Sequence, residues 1–195
     1  FLTFASGGTF SKYSHEFQVL TPAGEDIVIF CESCDFAQNR EIAAVEGGGD
    51  CPRCKKKVRA ERAIEVGNIF QLKTRFSQAF RLTYKDETGK DQLALMGCYG
   101  IGLGRALGAI VEVHHDERGI IWPKSVAPFA VHLIALQSAK AVRASADKAY
   151  ATLQKSGIAV LYDDREAAST GEKLADADLI GIPLRLVVSE KTVAV

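Results

Sequence analysis

From Phe10 to Phe30 the apolar residues come in short alternating runs. "EFQVL" and "DIVIF" are separated by "TPAGE", a spacing that predicts a β-hairpin. Strand signals return at "NIFQL", "FRLTY" and "QLALM". The last two flank "KDETGKD", predicted as a hairpin loop with Gly89 in its turn. After Gly104, Leu107, Ile110 and Val111 recur at helical spacing, which predicts one amphipathic helix to about His114. "IIWPKSVAPF" then brings two prolines and a boundary. Beyond it the pattern changes. "AVHLIAL" is a buried-strand run, and Val142, Ala146, Ala149 and Leu153 mark a helix. "IAVLY" is a strand, Gly171 to Ile180 a second helix and "LRLVV" a third strand. Strands alternating with helices imply a mainly parallel sheet with right-handed crossovers.

Composition adds limits. The chain has 195 residues and is 47% hydrophobic, enough for real cores in one large or two small domains. Basic and acidic residues balance at 24 each, so no global field draws it to nucleic acid or membrane. No run reaches the roughly 18 apolar residues of a membrane span, and the N-terminus lacks a signal-peptide pattern, so a cytoplasmic protein is expected. "FLTFASGG" reads like the interior of a strand and loop, and the chain is expected to be a fragment.

Between Cys31 and Arg62 the sequence turns polar, as expected of a small insertion held by something other than a hydrophobic core. Cys31, Cys34, Cys51 and Cys54 form C-x2-C-x16-C-x2-C, two knuckles able to present four thiolates to structural Zn2+. Two disulfides or chance are the alternatives, and zinc is preferred where no secretory signal is seen. Arg53, Lys55, Lys56, Lys57, Arg59 and Arg62 beside them could neutralise phosphates. A solvated ribbon face is preferred, because no aromatic residue is interleaved to stack on bases. His114 and His115 suit a helix end, where an imidazolium meets the dipole favourably.

"GCYGIGLGR" matches neither G-x-G-x-x-G, since Arg105 stands where the last glycine would be, nor a P-loop. What remains is a narrow glycine turn between a strand and a helix that starts near an arginine. Glycines let a flat ligand approach the backbone, and a guanidinium can bind phosphate or stack on a purine, although glycines at a strand-to-helix turn more often serve helix–sheet packing, which is preferred on these residues alone.

This stretch resembles motif 3 of the class II aminoacyl-tRNA synthetases. With "HHDERGIIWPKSVAPF" it resembles the bacterial-type prolyl-tRNA synthetases in particular. "GGTFSKYSHEFQVL", "IEVGNIFQLKTRFS" and "LYDDREAASTGEKLADADLIGIP" resemble further segments of that family in the same order, the last within its anticodon-binding domain. The resemblance implies a mixed α+β and α/β fold. A class II antiparallel-sheet portion would span 1–124, with a zinc-ribbon-like insertion at 31–62, and a truncated α/β anticodon-binding domain would span 125–195. The insertion sits where many bacterial relatives carry a large editing domain, which would imply editing in trans or tolerance of mischarging.

The resemblance further implies activation of L-proline by ATP with Mg2+ and transfer to tRNA(Pro), by a protein that is a homodimer at full length. Arg105 would engage ATP, with Glu65, Asn68 and Gly102 also on the ATP side. Phe70, Cys98, Gly100 and His15 would line the proline pocket, with Gly97 helping to keep its floor flat. Asp164, Arg165 and Lys173 would contact tRNA. Two departures stand out: Asn68 replaces the family's histidine and Lys73 its second glycine. Motifs 1 and 2 are not found, so this chain alone is expected not to aminoacylate. A non-catalytic synthetase-like tRNA-binding or regulatory protein, or a zinc-ribbon nucleic-acid binder, are the alternative readings.

Overall fold

The structure is a computed structural model that describes residues 1–136 and 139–193; Ala194 and Val195, the end of the expected anticodon-binding unit, lie outside the described residues. The chain divides into two compact units, Phe1–Ala109 and Ile110–Val195. No helix among the described residues is long and apolar enough to cross a membrane.

The first unit is built on a six-stranded sheet. Its strands are β1 (Leu2–Ser6), β2 (Tyr13–Leu20), β3 (Asp26–Phe30), β4 (Ala37–Asn39), β5 (Arg59–Lys73) and β8 (Met96–Ile101). Between the last two lie α1 (Arg75–Phe80), β6 (Thr83–Lys85) and β7 (Asp91–Leu93), and α2 (Leu103–Val113) follows β8. The strand order is β2-β1-β4-β3-β5-β8, with β2 also pairing with β5.

The expected hairpin of "EFQVL" with "DIVIF" does not form. β2 pairs with residues 63–70 of β5, and β3 continues along β5 at 59–63. "TPAGE" is therefore a short excursion between two successive partners of one long strand. Thr21 N donates to Arg62 O at 3.0 Å, and the Arg62 guanidinium donates to Gly24 O at 3.2 Å, both holding the excursion against β5. Gly24 lies so close that a Cβ there would overlap the backbone of Ala63. A turn-rich interval signals a change of direction in sequence, but here the length of β5 offers a continuous template that a local rule cannot see.

"KDETGKD" does form the expected hairpin. β6 and β7 pair antiparallel, and Gly89 takes φ +80°. They form a separate two-stranded ribbon rather than joining the main sheet, and "RFSQAF" ahead of them is the helix α1. The expected glycine turn is also mostly strand: Gly97 and Gly100 lie within β8, and only Gly102 occupies the junction with α2. His114 and His115 follow that helix as expected, His114 N donating to Ile110 O and His115 Nδ1 lying 2.9 Å from Val111 O.

The cysteine-bearing interval is more structured than its polar composition suggests. Within it, β4 joins the main sheet between β1 and β3. Cys31 and Cys51 are buried with Ile29, Phe36 and Val58 in a small apolar cluster, which corrects the expectation of a segment without a core.

The second unit follows the predicted alternation. The parallel strands β9 (Val131–Ala135), β10 (Val160–Asp163) and β11 (Leu184–Val188) lie in the order β10-β9-β11. They are linked through α3 (Lys140–Lys155) and α4 (Thr170–Ile180), and α5 (Glu190–Val193) closes the described chain. Val142 and Ala146 of α3 are fully buried, and Ala149 and Leu153 pack on Val131, Leu133 and Val160. α4 starts at a capping box between Ser169 and Glu172 and ends at Gly181 with φ +71°.

Candidate functional site

Pairing register decides which side chains share a face. Residues directly opposite in an antiparallel pair point the same way, and neighbours along a strand alternate. Glu16 faces Asn68 and Ser14 faces Phe70 across β2 and β5, while Asn68 faces Gly100 and Phe70 faces Cys98 across β5 and β8. One sheet face therefore collects Glu16, Asn68, Phe70, Cys98 and Gly100.

Glu65 reaches this face through an irregularity. Gln18 pairs with Glu65 but Phe17 with Gly67, so Val66 is an extra residue on β5. This β-bulge brings Glu65 and Asn68, three apart and on opposite faces of a regular strand, to the same side. Asn68 Nδ2 donates to Glu65 Oε1 at 2.9 Å. Gly102 N donates to the O of Val66 at 3.1 Å, which fixes the start of α2 against the bulge. Arg105, in the first turn of α2, then donates through Nη1 to Glu65 O at 3.1 Å and lies 3.4 Å from Glu65 Oε2. More than half of its side chain remains exposed, and an open cleft of about 380 Å³ lies beside Asp26, Glu65 and Arg105. A Cβ on Gly100 would sit 3.2 Å from Asn68 Oδ1, so the glycine keeps this approach open.

The apolar part of the face is Phe70, its ring centroid 5.3 Å from that of Phe10 and tilted against it, beside the exposed Cys98. Phe10 lies within "GGTFSKYSHEFQVL" but is given no role by the sequence, and this ring contact brings it to the site. His15 is different. It lies one residue out of phase with Glu16, on the opposite face, edge-on to Phe4 at 4.5 Å. The structure thus removes His15 from the face that holds Phe70 and Cys98, because strand alternation admits only one of two neighbours.

Three further polar residues went unnoticed in the sequence or were left without a role. Gln18, 1% exposed, donates through Nε2 to Glu16 Oε2 at 3.0 Å and to Asp26 Oδ2 at 2.8 Å. Burial, with the negative neighbours Glu65, Asp26 and Glu41, holds the Glu16 carboxyl above its ordinary range against the opposing Gln18 hydrogen bond.

Lys73 takes φ +52°, in the left-handed region that favours glycine. It stands at the second β5 irregularity, where Gln71 pairs with Gly97 and Lys73 with Met96. The backbone thus retains the conformation that the resembled family's glycine suits.

The four knuckle cysteines converge. Their sulfurs all lie within 4.8 Å of one another, with Cys31 to Cys54 at 3.5 Å and Cys34 to Cys51 at 3.6 Å. None is in a disulfide. A tetrahedral ion with sulfurs at about 2.3 Å has S···S edges of about 3.8 Å, so the donor set fits zinc closely. Burial raises the Cys51 thiol, but N–H donation from Cys54 and Arg53 and contacts with neighbouring thiols outweigh it and bring it to about 7. At Cys34 the Phe36 backbone donor is outweighed by burial and the neighbouring thiols, which push it up to about 12. In the adjacent basic run, Arg53 pairs with Asp35, Lys57 with Asp50, and Arg59 with Glu32 and Glu61, as a solvated ribbon face requires.

In the second unit, Lys173 is 3% exposed. Its Nζ donates to Ala135 O at 2.6 Å and lies 3.8 Å from Asp163 Oδ1. Arg165 makes a two-pronged contact to Asp163 at 2.9 and 2.8 Å and reaches Asp176 at 2.8 Å. The Arg165 hydrogen bonds hold the Asp163 carboxyl below its usual range. Lys173 is therefore an interior cation that ties α4 to the end of β9, not one presented to a polyanion. Asp164 is exposed.

Comparison with known proteins gives this geometry a family. Residues 3–114 match the tRNA synthetase class II core domain (G, H, P, S and T), and residues 130–194 match the anticodon binding domain. The chain is 49% identical over 159 residues to a proline–tRNA ligase of Bacillus subtilis, covering 80% of this chain and 28% of that protein. It is 48% identical over 161 residues to the proline–tRNA ligase of Pelobacter propionicus, with the same two coverages. The chain thus spans under a third of these relatives. Among solved structures, a Giardia lamblia prolyl-tRNA synthetase in complex with prolyl-adenylate shares the fold at a TM-score of 0.65, with 23% identity over 95% of this chain and 32% of that one. A Cryptosporidium parvum prolyl-tRNA synthetase complexed with halofuginone and AMPPNP aligns at a TM-score of 0.60, 26% identical over 68% of this chain and 28% of that one. With a class II core over more than half its length and an anticodon-binding fold after it, the chain belongs to the class II aminoacyl-tRNA synthetase family.

Proposed function

We propose that this chain carries the motif 3 half of a prolyl-adenylate site and part of the anticodon-binding domain of a proline–tRNA ligase. The observation that carries the reading is a single sheet face on which an apolar patch of Phe10, Phe70 and Cys98 adjoins the polar group of Glu65, Asn68 and Arg105. The proline ring has no hydrogen-bonding tip and suits the first; ATP, bound with Mg2+, suits the second. In the reaction, the proline carboxylate attacks the ATP α-phosphorus and pyrophosphate leaves. The prolyl group then passes to the terminal ribose of tRNA(Pro). Both steps depend on positioning and on stabilising phosphate charge. Arg105, a guanidinium held by Glu65 with most of its donors still available, would serve the second need.

Gly100 and Gly102 would leave room for the nucleotide and the ring. In the second unit, Asp164 and the exposed edge of Arg165 are the remaining tRNA contacts of the proposed set. We put the boundary between the two functional parts near 124/125, a reading compatible with family matches that end at 114 and begin again at 130. The cysteine set would hold structural zinc, its four protein ligands leaving no open position for catalysis. We place the full protein in the cytoplasm as a homodimer. The test is charging by the full-length protein. Labelled proline should be esterified to tRNA(Pro), and other amino acids at the same concentration should not. Efficient charging of a different amino acid, with proline refused, would overturn the assignment.

A further inference from the structure

The connection between β1 and β2, residues 7–12, carries Phe10 to the apolar part of the site face. It is a tight loop. Gly7 O accepts from Phe10 N at 3.0 Å and from Ser11 N at 3.2 Å, Ser11 Oγ donates to Tyr13 O at 2.7 Å, and Gly8 takes φ +52°. All of these bonds lie inside the loop or at its join with β2, so none of them holds Phe10 beside Phe70.

That tie comes from another part of the chain. Arg75, the first residue of α1, donates through Nη1 to the carbonyls of both Thr9 and Phe10, the latter at 3.0 Å. The two carbonyls flank the Phe10 Cα, so one guanidinium nitrogen sets where that side chain starts, and a charged donor does so more strongly than a neutral one. Arg75 follows β5 after a single residue, Thr74, so the loop is anchored to the end of the strand that carries Phe70. The Arg75 guanidinium carbon also lies 5.5 Å from the Phe76 ring centroid. Half of Phe10 remains exposed, which makes its ring a wall beside the patch rather than part of a packed core.

We propose that Arg75 is a positioning residue that holds the 7–12 loop against Phe70, and that Phe10, so placed, sets the upper size of the amino-acid ring the site accepts. The proposal rests on the proline reading above and adds to it the pair of residues that measures the ring.

The experiment compares proline with pipecolic acid, the cyclic secondary amino acid with one more methylene, in amino-acid-dependent pyrophosphate exchange by the full-length protein. Phe10→Ala should lower the proline-over-pipecolate ratio of kcat/KM by about tenfold or more, the scale of one methylene in an apolar site. Arg75→Ala should lower the ratio in the same direction, and Arg75→Lys, which keeps a cation able to donate to the two carbonyls, should return most of it. If Arg75 acts through Phe10, the double variant should be no worse than Phe10→Ala alone. The KM for ATP should stay within about twofold of the parent's in every variant, which a general loosening of the fold would not allow. A ratio unchanged in either single variant, losses that add in the double variant, or an ATP KM that rises in step with the loss would each overturn the proposal. A parent protein with no proline-dependent exchange at all would overturn the underlying reading and this proposal with it, an outcome distinct from the others because it appears before any residue is changed.

Discussion

Replacing Lys173 should damage the fold of the second unit, and by less than replacing its partner. The Lys173 ammonium is buried, with its closest contact at Ala135 O and Asp163 Oδ1 a little further away. Lys173→Met keeps the length and most of the volume. It removes one charged hydrogen bond, while Asp163 keeps its two-pronged contact with Arg165. A loss of about 1–3 kcal/mol is expected, the usual consequence of removing a charged donor from a buried acceptor. Asp163→Ala instead leaves the Lys173 cation buried without a carboxylate, for which about 3–5 kcal/mol is expected. The double variant should then recover part of the loss, with a coupling of about 1–3 kcal/mol.

The assay is built in. Trp122 is the sole tryptophan, and its indole Nε1 donates to Ile180 O at the end of α4, so its fluorescence in urea reports this unit. Acid should act in the same direction. The Asp163 carboxyl lies below its unfolded value of about 3.9, so its stabilising contribution is present above that pH and is lost as pH falls through the lower folded value. In Lys173→Met the folded value should move up and the acid transition should begin at higher pH. If Lys173→Met unfolds within about 0.5 kcal/mol of the parent while the variant's tRNA affinity collapses, Lys173 is a recognition residue and the interior-cation account is wrong.

Three other outcomes follow from the geometry. Cys51→Ser, or a strong chelator, should release about one zinc ion per chain and loosen the cluster of Ile29, Phe36 and Val58, read as new protease cleavage between 31 and 58; two disulfides by mass spectrometry and no metal would contradict it. Gly24→Ala should lower the thermal midpoint of the first unit strongly, since its Cβ would overlap the Ala63 backbone, and a midpoint equal to the parent's would show that the excursion is not held as described. Lys73→Gly should raise stability by about 1 kcal/mol through relief of left-handed strain, less whatever the freer unfolded glycine costs; a clear loss would mean that the Lys73 side chain carries an interaction of its own.

Much of this was legible in the sequence where a local rule sufficed. The β–α alternation after Pro128 and the Gly89 hairpin were read correctly because periodicity and turn chemistry act over a few residues. The spacing of Cys31, Cys34, Cys51 and Cys54 likewise anticipated their convergence. What was missed depends on pairing at a distance. The "TPAGE" excursion looks like a hairpin until β5 is known to be fifteen residues long and able to receive β2 and β3 in turn. The choice of Glu16 over His15 rests on register, which a one-residue slip reverses. Glu65 joins Asn68 only through the bulge at Val66, for which Gly67 was the sole local hint. Lys173 looks like any helical surface lysine until α4 is docked on β9.

Isotope exchange of labelled pyrophosphate into ATP tests the central claim most directly, because it reads adenylate formation alone and needs no tRNA. The full-length protein should exchange pyrophosphate only when proline is supplied, and Arg105→Ala, which removes the guanidinium held over Glu65, should suppress that exchange by about 100-fold or more. Exchange that is absent with proline, or that persists undiminished in Arg105→Ala, would contradict the account.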